Sequence, residues 1–422
     1  MRFRFSILAK SLIAILLIGV GVLGQYRFRV VERYWIPRFG VSSLDQPATI
    51  SEIFSDNLEF EGKPSLAQFW EVWQFLEQDY LESDKIKPAN MIDGAIKGMV
   101  ASLGDPYTTY LPPKQNQRSG EDLAGSFFGV GIELGYIDGF VAVMTPLPNS
   151  PAEKAGVQAG DLILKVTDKT KNLDEDATNW TIEQAVEAIR GTKGSVVTLT
   201  LLRPDQGNKP FEVSITRDEI VVKSVEMELI ERQGQTFAHI KLYRFGGRTN
   251  GEWDALVSEI VNNPAVAGII LDMRGNPGGF FDGAIDVASE FIESGVVVTQ
   301  KGKYTSRDFP AQGKARLAKY PLVVLVNKGS ASASEIVAGA LRDRLGVKLV
   351  GKQTFGKGTV QDRRELSNGG GVHITVARWM LPGGDWIQDT GIPVDVEVEY
   401  NPDTEQDEQL LRALQELDQV NS

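Results

Sequence analysis

No cysteine occurs anywhere in the 422 residues. Disulfides, thiolate nucleophiles and Cys-ligated zinc are therefore excluded, and an oxidising compartment is compatible with the absence but not required by it. Histidine is almost as scarce, with two in the chain, so few imidazoles are available as a general base. Positive charge is in deficit: 44 Lys and Arg face 56 Asp and Glu, a net charge of -12. That balance argues against nucleic acid as a partner, because phosphate binding needs a basic face. Long apolar runs are lacking as well, save one. Arg2, Arg4 and Lys10 precede the stretch Ser11 to Gly24, the pattern of an export signal. The run is short for a span of about 20 residues, although Phe5 to Ala9 extends it, and no small-x-small cleavage site follows. An uncleaved anchor is the preferred reading and a cleaved signal peptide its competitor. Both export the body of the protein, and the anchor tethers it to the cytoplasmic membrane on the periplasmic or extracellular side.

What is present is ordinary for a globular protein, 42% hydrophobic and 24% charged, and long enough for two or three domains. A multidomain α/β organisation follows from the patterning. Residues 1–35 form the anchor and 36–64 a linker. Over 65–117 a helical segment is expected: Ser65 and Gln68 have capping-box spacing, Phe69, Trp70, Trp73, Leu76 and Tyr80 recur at helical intervals, and a second helix follows Pro88. Over 118–218 short strands surround one helix, capped by Thr181 and Gln184 and stopped at Gly191. Over 219–400 strands and helices alternate, the signature of an α/β domain. The acidic tail, 401–422, places Leu410, Leu411, Leu414 and Leu417 on one helical face. That face is expected to meet a second subunit, giving a homodimer, or the N-terminal helices.

Three segments of the α/β domain carry chemistry. Asp272-Met273-Arg274-Gly275-Asn276-Pro277-Gly278-Gly279 follows a buried-looking strand, and its glycines let backbone N–H groups approach a ligand. Taken alone it reads better as a tight strand-to-helix turn. Gly329 to Glu335 joins a strand to a helix and surrounds Ser332 with small residues, leaving its hydroxyl accessible at a helix N-terminus. Ser332 and Glu335 also have capping-box spacing, so a purely structural role stands beside the catalytic one. In Thr354 to Gln361 a lysine, Lys357, lies between two glycines without the spacing of a phosphate-binding loop. His239 and His373 both fall in strand-like segments, not in the loops that usually present a catalytic base, which turns the search for a base toward lysine.

Taken together, Leu103 to Thr108, Arg274 to Gly279, Gly329 to Glu335 and Phe355 to Gly358 make the chain resemble the C-terminal processing peptidases, or tail-specific proteases, over about residues 65 to 400. The resemblance implies a helical N-terminal segment, a PDZ domain and a crotonase-like α/β protease core. It implies Ser332 as nucleophile, Lys357 as general base and Gln361 as the group that orients the lysine. Backbone N–H groups of Gly278 or Gly279 and of Ala333 would form the oxyanion hole. No metal or cofactor is implied. Phe128-Gly129-Val130-Gly131 resembles a PDZ carboxylate-binding loop, with the following strand and the helix Ile182 to Arg190 walling a groove for substrate C-termini. Arg190 and Gly191 match a pattern at the PDZ edge. The competing function is a catalytically silent PDZ scaffold, disfavoured because Ser332, Lys357 and Gln361 all stand.

Overall fold

The computed structural model describes residues 65–420, apart from 205, 206, 208, 402, 403 and 405. The apolar run at Ser11 to Gly24 and the linker after it lie outside the described residues. No helix among the described residues is long and apolar enough to cross a membrane. The chain divides into two units, one ending at Ile86 and one beginning at Lys87. In the first, α1 (Ala67–Asp79) stacks Phe69, Trp70 and Trp73 edge to face, with Trp73 buried. The expected capping box does not form there. The helix starts at Ala67, whose N–H donates to Ser65 Oγ at 3.1 Å.

The second unit begins with α2 (Pro88–Ala101), β1 (Thr109–Leu111) and α3 (Pro113–Ala124), which stops at the left-handed Gly125. A neck strand, β2 (Ser126–Gly129), leads into β3 (Ile132–Ile137), β4 (Phe140–Pro146), α4 (Pro151–Lys154), β5 (Leu162–Asp168) and β6 (Leu173–Asp176). Then come α5 (Ile182–Ile189), β7 (Val196–Leu202), β8 (Phe211–Thr216) and the returning neck strand β9 (Asp218–Val221). The sheet has the order β3-β4-β5-β7-β8, antiparallel throughout, while β2 and β9 pair only with each other. Alternate residues such as Val197, Leu199 and Leu201 enter a separate core, as period-2 patterning requires. Helix α5 carries the reciprocal Thr181–Gln184 capping box read from sequence. Its C-terminal carbonyls are held by the buried Arg217, which donates to Ile189 O and pairs with Asp168 at 2.6 Å.

The remaining elements are β10 (Val225–Arg232), β11 (Gln235–Leu242), α6 (Thr249–Asn262), β12 (Val266–Asp272), α7 (Phe281–Ala288), β13 (Val296–Gly302) and β14 (Ser306–Pro310). They continue with β15 (Leu322–Val326), α8 (Ala333–Leu345), β16 (Lys348–Gly351), β17 (Thr359–Glu365), β18 (Gly371–Met380), β19 (Val396–Glu397) and α9 (Glu408–Val420). The main sheet runs β10-β11-β12-β15-β16-β19, parallel from β11 onward. Helices α6, α7 and α8 cover one face and α9 the other, so β12 and β15 are apolar on both sides. A second sheet, β1-β18-β13-β14 with β17 on β18, folds over the first.

The α9 stripe corrects one expectation. Leu414 and Leu417 are buried against Phe237, Ile270, Val323 and Leu325 of the protein's own sheet, with Leu410 packed beside them. The protein's own sheet covers this face at Leu414 and Leu417, while Leu411 stays exposed. The sheet had an uncovered side of its own, which a stripe alone does not reveal.

Candidate active site

The site forms where the parallel strands β12 and β15 end, the edge at which open α/β sheets place ligands. After β15 the chain turns sharply into α8. Ser330 and Ser334, both fully buried, fasten that turn: Ser330 Oγ donates to Met273 O at 2.8 Å and Ser334 Oγ to Asn276 O at 3.0 Å. Ser332 between them sits at φ 56°, ψ -113°. This is strained backbone for a residue with a Cβ, costing about 1–3 kcal/mol, and it is held by its surroundings. The same strand–turn–helix geometry lifts a nucleophile out of a sheet edge.

Glu335 is more than a helix cap. Its fully buried carboxylate accepts four hydrogen bonds: from Ser332 N–H at 2.7 Å, Lys357 N–H at 2.9 Å, Gly356 N–H at 2.7 Å and Thr354 Oγ1 at 2.6 Å. The first two converge on one oxygen, Oε2, so a single side chain ties the serine turn to the lysine turn. The capping-box spacing in the sequence was real, but it showed only the local half of this joint. The flanking glycines are also structural. A Cβ on Gly356 would lie 2.8 Å from Gly391 N, and one on Gly358 would lie 2.6 Å from the Trp386 indole.

Lys357 is partly buried, and burial pushes its ammonium below the usual lysine range, opposed by Asp105 and Glu335. Its Nζ lies 5.1 Å from the Tyr107 ring centroid. Asp105 remains a carboxylate. Burial alone would raise its pKa, but hydrogen bonds from Thr108, Thr375 and the Tyr107 N–H hold it low. Thus the Leu103 to Thr108 segment, which enters the sequence reading only as part of a resemblance, places Asp105 and Tyr107 beside the lysine. Its Asp-Pro-Tyr-Thr pattern was the available signal.

Opposite Ser332 lies the turn after β12. A Cβ on Gly278 would stand 2.9 Å from Ser332 Cβ and 3.0 Å from Ala333 N, so only glycine permits this approach. Gly278 N–H already donates to Asn276 Oδ1 at 2.9 Å. Asn276, fully buried, donates in turn to Leu242 O at 2.7 Å. Of the two glycines named from sequence, Gly279 therefore has the N–H that is not engaged within the turn, and Ala333 begins α8, where a first-turn N–H has no intrahelical partner.

Ser332, Ala333, Gly278, Gly279, Lys357 and Gln361 all line one cleft of about 1080 Å³. Gln361 is on β17, and its amide donates to Thr359 Oγ1 at 2.9 Å and Thr375 Oγ1 at 3.2 Å. His373 lines the same cleft from β18, whereas His239 does not. His239 is buried in β11 with Nδ1 2.8 Å from Glu228 and Nε2 3.1 Å from Asp272. Asp272 also holds Arg274, and its pKa falls to about 2: burial would raise it, and His239 and Arg274 outweigh that. Arg274 reaches Asp407 at 2.7 Å, anchoring the turn before α9.

In the β-rich domain, Phe128 lines a groove of about 650 Å³ with Gln184, Glu187 and Ala188 of α5. Val130 instead enters the core, and its carbonyl accepts Ala152 N–H at 2.9 Å. Gly129 ends the neck strand, and Gly131 turns at φ 76° against Ser150. Strand β3 pairs only with β4, leaving its other edge unpaired in the sheet. Arg190 at the end of α5 pairs with Glu121 of α3 at 3.0 Å and stacks on Phe127 at 4.2 Å.

This geometry agrees with what the chain is similar to. Residues 236–398 match the peptidase family S41, 119–202 the PDZ domain, and 38–114 the N-terminal domain of the activating protease CtpB. The carboxy-terminal processing protease CtpA of Bacillus subtilis (strain 168) is 36% identical over 350 residues, covering 83% of this chain and 72% of that protein. CtpB of the same organism is 30% identical over 352 residues, with 83% and 71% covered. A solved Bacteroides fragilis NCTC 9343 chain assigned to the S41 proteases superposes with a TM-score of 0.52 at 18% identity, over 86% of this chain and 99% of that one, and so shares the fold. The chain belongs to the carboxy-terminal processing proteases of peptidase family S41, and is a PDZ-containing serine protease.

Proposed function

We propose that this enzyme cuts exported proteins near their C-termini with a Ser332/Lys357 dyad. The observation that carries the reading is the Glu335 carboxylate, which fixes the strained Ser332 turn and the Lys357 turn to each other at one cleft. A neutral Lys357 amine takes the proton from Ser332 Oγ as the oxygen attacks the peptide carbonyl. The oxyanion meets the Ala333 N–H and a glycine N–H of the 278–279 turn at the positive end of α8. Collapse expels the amine, which takes the proton from Lys357, and water then hydrolyses the acyl-serine by the same steps. Burial is what makes the base usable, because an ammonium has no lone pair to accept with. Gln361 keeps the strand beside the lysine in register through Thr359 and Thr375 and orients the amine.

Substrate C-termini enter the groove between β3 and α5 by strand addition, with the terminal carboxylate at the Phe128 to Gly131 loop. The supports are the unpaired β3 edge and the exposure of Phe128 in the groove. Export and tethering rest on residues 1–35, with the body outside the cytoplasm. The test is cleavage of a peptide substrate by full-length enzyme and by Ser332→Ala, Lys357→Ala and Lys357→Arg. Loss of activity in all three is expected, and a Lys357→Ala enzyme that still cuts would sink the dyad.

A further inference from the structure

The cleft runs against the charge of the chain. The protein carries a net -12, yet the side chains around this cavity include Arg118, Arg244, Lys357 and Arg363 against one carboxylate, Asp122. Among the described residues Arg118, Arg244 and Lys357 form no ion pair, and the one ion pair of Arg363 is with the exposed Glu365, at 3.6 Å; otherwise Arg244 Nη1 donates to Asp122 O at 3.0 Å and Arg363 Nη2 to Asn116 O at 3.2 Å. Arg244 Nε, Arg363 Nε and His373 Nε2 are in addition buried with no hydrogen-bond partner. Buried polar groups are normally satisfied, and leaving one unmet is costly, more so when it is charged. Three such nitrogens around one cavity leave donor capacity that an incoming carboxylate can meet.

Two of the three are neighbours. Arg363 and His373 stand directly opposite each other across the β17–β18 pair, and Gln361 lies opposite Thr375 one step along the same face. Residues two apart on a strand are separated by about 6.6 Å, so this face runs from Gln361 to the Arg363–His373 pair. An extended substrate laid along it presents every second side chain to the same face. Burial, Arg363 and Lys357 together hold His373 below the usual histidine pKa, surroundings that a carboxylate would relieve.

We propose that Arg363 and His373 form a subsite for a carboxylate on the substrate's acidic side chain, Asp or Glu, beside the scissile bond. The proposal rests on the Ser332 chemistry above and adds a sequence preference to it. The other source of a carboxylate, the chain terminus, belongs to the PDZ loop, and the experiment separates the two.

The substrates are amidated peptides in which a single Glu steps through the positions flanking the cut, each with a Gln twin, and the full chain is used throughout. At one position kcat/KM for Glu should exceed that for Gln by about tenfold or more, as charge-assisted hydrogen bonds allow. The Glu-to-Gln ratio should collapse toward one in Arg363→Gln, shrink in His373→Gln, and survive in part in Arg363→Lys. Binding of the same pairs to Ser332→Ala, read by fluorescence anisotropy, should show the same order without turnover, and serves if one variant folds poorly. Equal rates for every pair in the unaltered enzyme would overturn the subsite while leaving the protease intact. A ratio unchanged in both Arg363→Gln and His373→Gln would overturn it too, as would a gain confined to peptides with a free C-terminus. Failure of the reaction itself would look different: Ser332→Ala would cut as fast as the unaltered enzyme.

Discussion

At the scale of single residues, Ser332 and Lys357 stood out in the sequence only through four ordered motifs that resemble one family, because each segment alone also admitted a structural reading. Glu335 was legible only as a cap, since its partners Thr354, Gly356 and Lys357 come from a segment about twenty residues away. The same limit hid Asp105 and Tyr107. Burial lowers the Lys357 pKa, so kcat/KM should climb with pH through that depressed value as the amine loses its proton. The stability consequence has the opposite origin. Between the folded value and the higher unfolded one, the unfolded chain binds the extra proton, so burying Lys357 costs stability below that window and ceases to do so above it. Lys357→Met should therefore be inactive yet melt at the same or a higher temperature at neutral pH, and a lower Tm would contradict the burial argument. Ser332 gives a second prediction. Its left-handed φ of 56° suits glycine, so Ser332→Gly should be about 1 kcal/mol more stable than Ser332→Ala in urea titrations, both variants being dead.

At the scale of elements, local signals served best where they were complete within the element. The Thr181–Gln184 box caps α5 as its spacing requires, because both halves lie within four residues. The Ser65–Gln68 spacing looked alike and failed, since Ala67 takes the Ser65 hydroxyl first. The α9 stripe was read as a helix face correctly, but its partner was not, because periodicity tells which side is apolar and not what meets it. With Leu414 at 3% exposure against the sheet, Leu414→Ala should cost about 2–5 kcal/mol of stability, measured by denaturant unfolding. Light scattering should return the same mass before and after the substitution. A mass that halved would restore the subunit contact expected from the sequence.

At the scale of the whole molecule, the order of domains determines how reading and cutting are joined. The β-rich domain leaves and re-enters the protease through one pair of short strands, Ser126 to Gly129 against Asp218 to Val221. Beyond that neck it is tied to α3 by Arg190–Glu121 and by Lys114–Glu187, and α3 itself lines the catalytic cleft. Its core is separate from that of the protease, and neither Ser332 nor Lys357 contacts it through a hydrogen bond. Removing residues 130–217 and bridging the neck with a short glycine-rich turn should therefore leave the main sheet and the Glu335 joint intact. The expected outcome is a loss of discrimination, not of chemistry. In the full chain, a long peptide with a free C-terminus should be cut faster than its amidated twin, because the role proposed for the loop after β2 is to hold a terminal carboxylate. In the shortened enzyme the two rates should become equal while the amidated peptide is still cut, with Ser332→Ala as the zero. Equal rates in the full chain would remove the tail-reading function, and a folded but inactive shortened enzyme would show instead that the domain, acting through α3, is needed to hold the cleft in its working form.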